Sequence, residues 1–299
     1  MTDLRRYQAV DTMVALPDDP EAYYDHLLPL LQPGDPSLEP SRGPGEKREN
    51  PIAYLFKNAS TSVAAAGDLL GFTLAEMDQF GIERAMIELD EDRPLAQKAL
   101  SEHPDRFFAD YLADPRRGMT EVRKIVRLHD EWGIKAVTGF AAGFRPGVPY
   151  ADARWYPIYA KCVELGIAFV PLVGIPGPRV PYQPQEVGQL DEICYFFPEL
   201  TVVMRHGAEP WVDLAIKLML KWPNLYYSTS GFAPKHYPRP ILEYANTRGA
   251  EKVIYAGYSP FSVPIKRGFA ELAELPLREH VWPLFLRENA VRAFRLDQP

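Results

Sequence analysis

Residues 201–260 decide the fold, and they read TVVMRHGAEPWVDLAIKLMLKWPNLYYSTSGFAPKHYPRPILEYANTRGAEKVIYAGYSP. Three runs rich in β-branched and aromatic residues, TVVMRH, NLYYSTS and EKVIYAG, predict strands. The stretches between them, at about 211–221 and 238–248, predict helices, and Pro210 suits the start of the first because a helix does not need its missing N–H there. Strands that alternate with helices in this way indicate a parallel sheet with helical crossovers.

The same alternation extends back to the start of the chain. Further strands are predicted from Gln8 (QAVDTMVALP) and at 82–90, 106–115, 133–143 and 166–174. Helices are predicted at 19–31, 62–80, 93–103, 118–131, 186–197, 264–275 and 279–294, and over YPIYAKCVEL. Eight strands in 299 residues predict an α/β fold, a (β/α)8 TIM barrel that spans residues 1–299 as a single domain. A doubly wound open sheet is the alternative, but it usually has a glycine-rich turn after its first strand, where this chain reads ALPDDPEAYY.

A long polar excursion interrupts the barrel pattern after the first strand. Residues 32–50 are rich in proline, glycine, serine and charge, and the inserted region extends to about residue 60. No change of composition separates its two sides, so it predicts an insertion and not a domain boundary. A lid over the site and a subunit contact are its two candidate roles, with Tyr54 and Phe56 as anchors.

Composition and charge exclude several classes of partner. The net charge is −7 and no block of lysines or arginines occurs, so neither a nucleic acid nor an anionic membrane is expected as a partner. The chain begins without an apolar signal core and contains no window of about eighteen apolar residues, so we expect a soluble cytoplasmic protein. Cys162 and Cys194 lie in apolar helical contexts, which predicts buried thiols.

Four segments of the C-terminal half carry a resemblance to a known family: MRHGAEPW, KWPNLYYSTS, GAEKVIYAGYSP and RENAVRAFRL. They resemble the sixth, seventh and eighth strands and the terminal helix of the amidohydrolase-related family, in the branch that includes aminocarboxymuconate-semialdehyde decarboxylase and the resorcylate decarboxylases. The resemblance implies a TIM barrel, hydrolase or lyase chemistry on a small molecule, and a homodimer.

The resemblance also implies a divalent-metal site, but most of its ligand positions hold other residues. The family's first strand ends Asp-x-His-x-His, and residues 11–15 here read DTMVA. Gly174 stands at or near the fifth-strand histidine, and Tyr258 stands at the eighth-strand aspartate. Only His206, on the sixth strand, is retained. Zinc takes at least three protein ligands, so we expect no metal cofactor; a divalent metal such as Zn or Mn held by unexpected ligands, among them Glu88 or Asp11, is the alternative.

Three residues at predicted strand ends are the catalytic candidates. Without a metal, the His206 imidazole is expected to titrate near neutrality and to act as a general acid and base. Tyr258 can donate its O–H to a substrate oxyanion, and Glu88 can assist as a carboxylate. Packing alone is the alternative role for each of them.

Six further residues are predicted to bind the substrate: Met13, Phe140, Arg205, Ser228, Ser230 and Asp11. Ser228 and Ser230 share one face of a strand, as do Asp11 and Met13. On a regular strand Arg205 points outside the barrel, unless the strand ends one residue earlier. The predicted mouth of the barrel is apolar and aromatic, which favours a hydrophobic or aromatic ligand.

Three functional hypotheses follow from these observations. The first is an enzyme that has lost its metal and acts by acid/base chemistry on a small apolar or aromatic acid, ester or lactone, by hydrolysis, decarboxylation or isomerisation/dehydration. The second is a metal-dependent hydrolase or decarboxylase with atypical ligands. The third is a non-catalytic pseudoenzyme that binds a small molecule or an active partner.

Overall fold

A computed structural model describes residues 3–38, 51–52, 54–55, 67–260 and 262–297 of the chain. Its strands are β1 (Ala9–Asp11), β2 (Ile82–Glu88), β3 (Phe107–Ala113), β4 (Ala136–Gly139), β5 (Ala168–Pro171), β6 (Val202–Met204), β7 (Leu225–Ser228) and β8 (Val253–Ile254). They form one sheet in chain order, with every neighbouring pair parallel.

The sheet closes on itself between its first and last strands. Val14 bridges Ser259 in the parallel sense, and the N–H of Tyr258 donates to the carbonyl of Met13 over 2.9 Å. The N–H of Ala15 donates to the carbonyl of Ser259 over 2.8 Å. The predicted (β/α)8 barrel is therefore confirmed.

Helices cover the outside of the barrel: α1 (Leu69–Phe80), α2 (Pro94–Glu102), α3 (Met119–Trp132), α4 (Tyr156–Leu165), α5 (Leu190–Phe196), α6 (Val212–Lys221), α7 (Arg239–Ala245) and α8 (Ile265–Leu272). At the C-terminal end α9 (Val281–Pro283), a π-helical turn (Leu284–Glu288) and α10 (Asn289–Phe294) follow one another without a break. Gly81 ends α1 as predicted, because its φ of +69° is a left-handed conformation that a residue without Cβ adopts at no steric cost.

The amino ends of the strands are closed by apolar packing. Inward-facing residues early in the strands, among them Val10, Met86 and Phe108, cluster with Ala293 and Phe294 of α10. Because this end is filled, a ligand reaches the barrel interior from the carboxyl ends of the strands, the face that carries function in TIM barrels.

One prediction near the N-terminus differs from the structure, and two others fall on residues that it does not describe. In place of a helix over 19–31 there is a 3-10 helix at Asp25–Leu30, because Pro29 lies inside the segment and cannot donate an α-helical hydrogen bond. Of the excursion at 32–60, only residues 32–38, 51–52 and 54–55 are described, so its predicted anchor Phe56 lies outside the described residues, and so does the start of the helix predicted at 62–80.

None of the helices in the described ranges is long and apolar enough to cross a membrane. Both cysteines are buried free thiols, as predicted.

Candidate active site

A cavity of about 690 Å³ opens at the carboxyl ends of the strands. This volume lies within the range of about 300–1,000 Å³ that small-molecule sites occupy. Side chains that follow the strands form its floor: Met13, Thr138, Arg205, His206 and Tyr258. Four of these residues were singled out by the sequence as catalytic or substrate-binding candidates, and the fold brings them to one place.

His206 follows β6 and is held by Ser230 of the neighbouring β7 loop. The backbone N–H of His206 donates to the Ser230 Oγ over 3.1 Å, and the same Oγ lies 3.2 Å from the His206 Nδ1. The Ser230 hydroxyl has one proton and two lone pairs, so it can accept from the backbone N–H and donate to Nδ1; the neutral imidazole then carries its hydrogen on Nε2. The tautomer that fits this arrangement therefore presents an N–H donor.

The pKa of His206 is far below its usual range. Burial and the neighbouring Arg205 guanidinium both disfavour the imidazolium and lower the pKa to about 3. The expectation that His206 titrates near neutrality is therefore wrong, because the imidazole is desolvated beside a fixed cation. At neutral pH His206 is a neutral hydrogen-bond donor.

Tyr258 follows β8 and belongs to a chain of hydroxyl groups. Its phenol hydrogen-bonds with the Tyr24 hydroxyl, which lies 3.1 Å from the Ser262 Oγ. Burial, the two tyrosines of the N-terminal segment and the bond to Tyr24 raise the pKa of Tyr258 far above its usual range, so the phenol stays protonated. This bond contributes a rise to the pKa of Tyr258 and a fall to that of Tyr24, as expected when the Tyr258 O–H donates to Tyr24, and it holds the phenol at the cavity.

Arg205 points into the barrel. Strand β6 ends at Met204, one residue earlier than the regular strand that would have placed Arg205 outside. Its Nη1 donates to the Asp110 Oδ2 over 2.9 Å, and its Nη2 donates to the Thr12 carbonyl over 3.1 Å. Thr138 hydrogen-bonds with both Arg205 and Asp110. A buried ion pair thus crosses the barrel beneath the cavity and fixes one guanidinium at its floor.

Glu88 lines the cavity but is engaged by a cation. Its carboxylate accepts a hydrogen bond from Arg93, which also lines the cavity, and 38% of the Glu88 side chain is exposed. The structure therefore places Glu88 at the rim in an ion pair.

Asp11, Ser228 and Ser230 do not line the cavity. The Asp11 Oδ1 accepts from the N–H groups of Met13 and Gly257 over 3.0 and 2.8 Å, and its Oδ2 lies beside the Tyr255 phenol without a hydrogen bond of regular geometry among the described residues. Complete burial raises the pKa of Asp11 to about 7. The substrate-binding predictions for these three residues conflict with their placement, because all three are completely buried and none lines the cavity.

One wall of the cavity is apolar, as the sequence predicted. Leu112 lies at the end of β3, and Phe140 and Leu172 follow β4 and β5. Leu27 and Ile52 of the N-terminal segments pack on them. Polar side chains from the β6 and β8 loops lie on the other side. The arrangement suits a ligand with an apolar or aromatic end and a polar end.

Three residues of the site were not identified from the sequence: Asp110, Tyr24 and Glu209. Asp110 carries the ion pair to Arg205, Tyr24 bonds to Tyr258, and Glu209 lines the cavity three residues after His206. Of these three, Glu209 could have been identified from the sequence, because it lies in the same loop, HGAEP, as the retained histidine.

The residues at the expected metal-ligand positions do not fit a divalent ion. The described positions hold a thioether at Met13, a methyl group at Ala15, no side chain at Gly174 and a protonated phenol at Tyr258, leaving one imidazole. In the described part of the chain, no group of three or more histidine, cysteine, aspartate or glutamate side chains is arranged to bind a metal. The donor set therefore conflicts with the metal site that the family resemblance implies.

Comparisons with known proteins give the family and the fold. The amidohydrolase family model matches residues 41–296. An uncharacterised TIM-barrel protein from Bordetella bronchiseptica is similar in structure, with a TM-score of 0.71 at 21% identity over 96% of this chain and 98% of that one. No curated protein sequence gives a significant match.

Two similar structures are of named enzymes. The 5-carboxyvanillate decarboxylase of Novosphingobium aromaticivorans, solved with manganese and 4-hydroxy-3-methoxy-5-nitrobenzoic acid, has a TM-score of 0.67 at 18% identity over 99% of both chains. The 4-oxalomesaconate hydratase of Rhodopseudomonas palustris has a TM-score of 0.61 at 16% identity, over 97% of this chain and 96% of that one.

Proposed function

The chain belongs to the amidohydrolase family, and we propose that it is a metal-independent enzyme of that family which acts on a small apolar or aromatic acid, ester or lactone. The observation that carries the proposal is that two uncharged groups, the His206 imidazole and the Tyr258 phenol, lie together at the cavity floor beside the fixed guanidinium of Arg205. Their Nε2–H and O–H are the proposed donors to the substrate, with the Tyr258 O–H turning from Tyr24 when the substrate binds. Hydrolysis of an ester or lactone uses this arrangement best, because its transition state places negative charge on one carbonyl oxygen.

Each residue has a role in this reaction. The apolar wall around Phe140 holds the hydrocarbon part of the substrate and orients its carbonyl group towards the floor. His206 and Tyr258 donate hydrogen bonds to the carbonyl oxygen as it gains charge, and both remain protonated at their donor atoms at neutral pH. The low pKa of His206 argues against proton transfer to carbon by an imidazolium, the step that a decarboxylation without metal would need from it.

The test is turnover of a panel of aryl esters, aromatic lactones and hydroxybenzoates by protein purified without added metal and treated with EDTA. His206→Ala should lower kcat/KM by about 100-fold or more, the usual effect of removing an oxyanion donor. His236→Ala is the matched control, since His236 also lines the cavity but lies exposed on a loop.

The alternatives predict other results. Activity that EDTA abolishes and manganese or zinc restores would establish the metal-dependent enzyme. Binding of these compounds with no turnover of any of them would establish the pseudoenzyme.

A further inference from the structure

Among the described residues, one carboxylate that lines the cavity, Glu209, forms no ion pair. Among the described residues, Glu88 pairs with Arg93 and Glu271 near the rim pairs with Arg267 at 2.8 Å, whereas no ion pair involves Glu209. Glu209 lines the cavity in the loop that begins at His206.

The position of the Glu209 carboxylate is fixed by its own loop. Its Oε2 accepts a hydrogen bond from the N–H of Ala208 over 3.0 Å, which leaves Oε1 for another partner. The Glu209 carbonyl accepts from the N–H of Ile175 over 3.1 Å and ties the loop to the end of β5. The bond from Ala208 therefore orients the side chain, and the bond from Ile175 holds the backbone that carries it.

Gly207 makes room for this carboxylate. A Cβ at residue 207 would lie 2.3 Å from the Glu209 Oε2 and 2.7 Å from the Phe232 ring, both too close for any side chain. Gly207 also has a φ of +80°, which disfavours other residues. The HGAE segment is thus built so that an imidazole and a carboxylate three residues apart enter the same cavity.

The proposed reaction needs a proton acceptor that the other site residues do not provide. The open nitrogen of His206 already carries a hydrogen, the Tyr258 phenol is protonated, and Glu88 is neutralised by Arg93. A carboxyl group with an open oxygen meets the requirement for a general base.

We propose that Glu209 is the general base of this site, an inference that rests on the proposed hydrolase function. An O–H bond of water breaks and its proton passes to the Glu209 Oε1, while the water oxygen bonds to the substrate carbonyl carbon. The carbonyl electron pair moves to its oxygen, which accepts from His206 and Tyr258. When the intermediate collapses, the bond to the leaving alkoxide breaks and that oxygen takes the proton from Glu209, giving an acid and an alcohol, or a hydroxy acid from a lactone.

The experiment compares Glu209→Gln with the matched variant Glu271→Gln, whose carboxylate pairs with Arg267 outside the cavity lining, on whichever ester or lactone the wild-type protein hydrolyses. Glu209→Gln keeps an oxygen for the Ala208 N–H but cannot accept a proton, so kcat/KM should fall by about 100- to 10,000-fold. Glu271→Gln should stay within about threefold of the wild type. Thermal unfolding of both variants checks that they are folded, and Glu209→Asp, which retains a displaced carboxylate, should keep partial activity.

Chemical rescue separates proton transfer from a structural role. Added formate should restore part of the kcat of Glu209→Ala, because a free carboxylate can take the same proton, and it should not restore His206→Ala. If Glu209→Gln keeps wild-type kcat/KM while His206→Ala is inactive, the base assignment is wrong and the proposed function stands. If the wild-type protein hydrolyses no ester or lactone, the proposed function fails and the base assignment fails with it.

Discussion

The imidazole of His206 and the phenol ring of Tyr258 lie 5.1 Å apart between their centroids, and both residues have a positive φ, +71° and +64°. A left-handed backbone at a residue other than glycine costs of order 1–3 kcal/mol and persists where surrounding contacts enforce it. Here the His206 N–H is held by Ser230 and the Tyr258 N–H by Met13. Two strand ends are therefore turned into strained positions that aim two rings into one cavity, the pattern expected of a functional site.

The protonation state of His206 gives the first prediction. Because burial and Arg205 lower its pKa to about 3, the imidazole should stay neutral from pH 5 to 8, with its hydrogen on Nε2. NMR of ring-labelled histidine should show one signal with this tautomer and no titration across that range, with the other five histidines as internal references. Ser230→Ala should remove the preference for Nε2–H. Titration of His206 near pH 6.5 in the wild type would contradict the prediction.

Asp11 should make the stability of the protein depend on pH. Its pKa rises from an ordinary 3.8 to about 7 in the folded protein, so between these values the native state holds a proton that the unfolded chain has released. Stability therefore falls as the pH rises from about 4 and levels off above about 7, where the native carboxyl is also ionised. Asp11→Asn keeps an oxygen for the N–H groups of Met13 and Gly257 and does not titrate.

The difference in unfolding free energy between the wild type and Asp11→Asn isolates the contribution of the Asp11 carboxyl group. Between pH 5 and pH 8 the free energy of unfolding of the wild type should fall by about 2–3 kcal/mol relative to Asp11→Asn, since one pKa unit corresponds to about 1.4 kcal/mol. Urea unfolding of both proteins at the two pH values measures it. Parallel pH dependence of the two proteins would show that the carboxyl does not titrate in this window.

Strand β6 and the loop after it show how much of this structure can be predicted from the sequence. Strand, turn and helix follow local rules of periodicity and proline placement, so the barrel was predictable from the alternation along the whole chain, and the helices of residues 201–260 were predictable to within a few residues. Whether Arg205 faces in or out depends on the strand ending at Met204, a difference of one residue that reverses the side chain. Local sequence does not specify that residue.

Asp110 and Tyr24 were not identified from the sequence because their roles also depend on the folded structure. Asp110 and Tyr111 are neighbours on β3, and only the register decides that Asp110 reaches Arg205 while the Tyr111 hydroxyl donates outward to Glu121. Tyr24 contacts a residue more than two hundred positions away. Contacts between distant strands, and pKa shifts that depend on burial, exist only once the chain is folded.

The ion pair beneath the cavity gives a third prediction. Arg205 and Asp110 are 4% and 2% exposed, so Asp110→Ala or Arg205→Met alone should destabilise the protein by about 3–5 kcal/mol, because an unpaired charge stays buried. The double variant should cost clearly less than the sum of the two. A double-mutant cycle by urea unfolding measures the coupling, with the exposed pair Arg239–Glu243 as a control expected to couple by less than about 1 kcal/mol. Additive costs at Arg205 and Asp110 would mean that the pair does not form.

The last prediction concerns metal, because the donor set here conflicts with the family's site. Protein purified without chelator or added metal should contain much less than one equivalent of zinc or manganese by elemental analysis, since His206 is the single conventional ligand among the expected positions. Its metal content should be unchanged in His206→Ala. One equivalent in the wild type that disappears in His206→Ala would mean that His206 recruits ligands from elsewhere in the chain. In that case the low pKa of His206 would reflect an imidazole prepared for a cation, and the cavity would act through a metal ion in place of the two neutral donors.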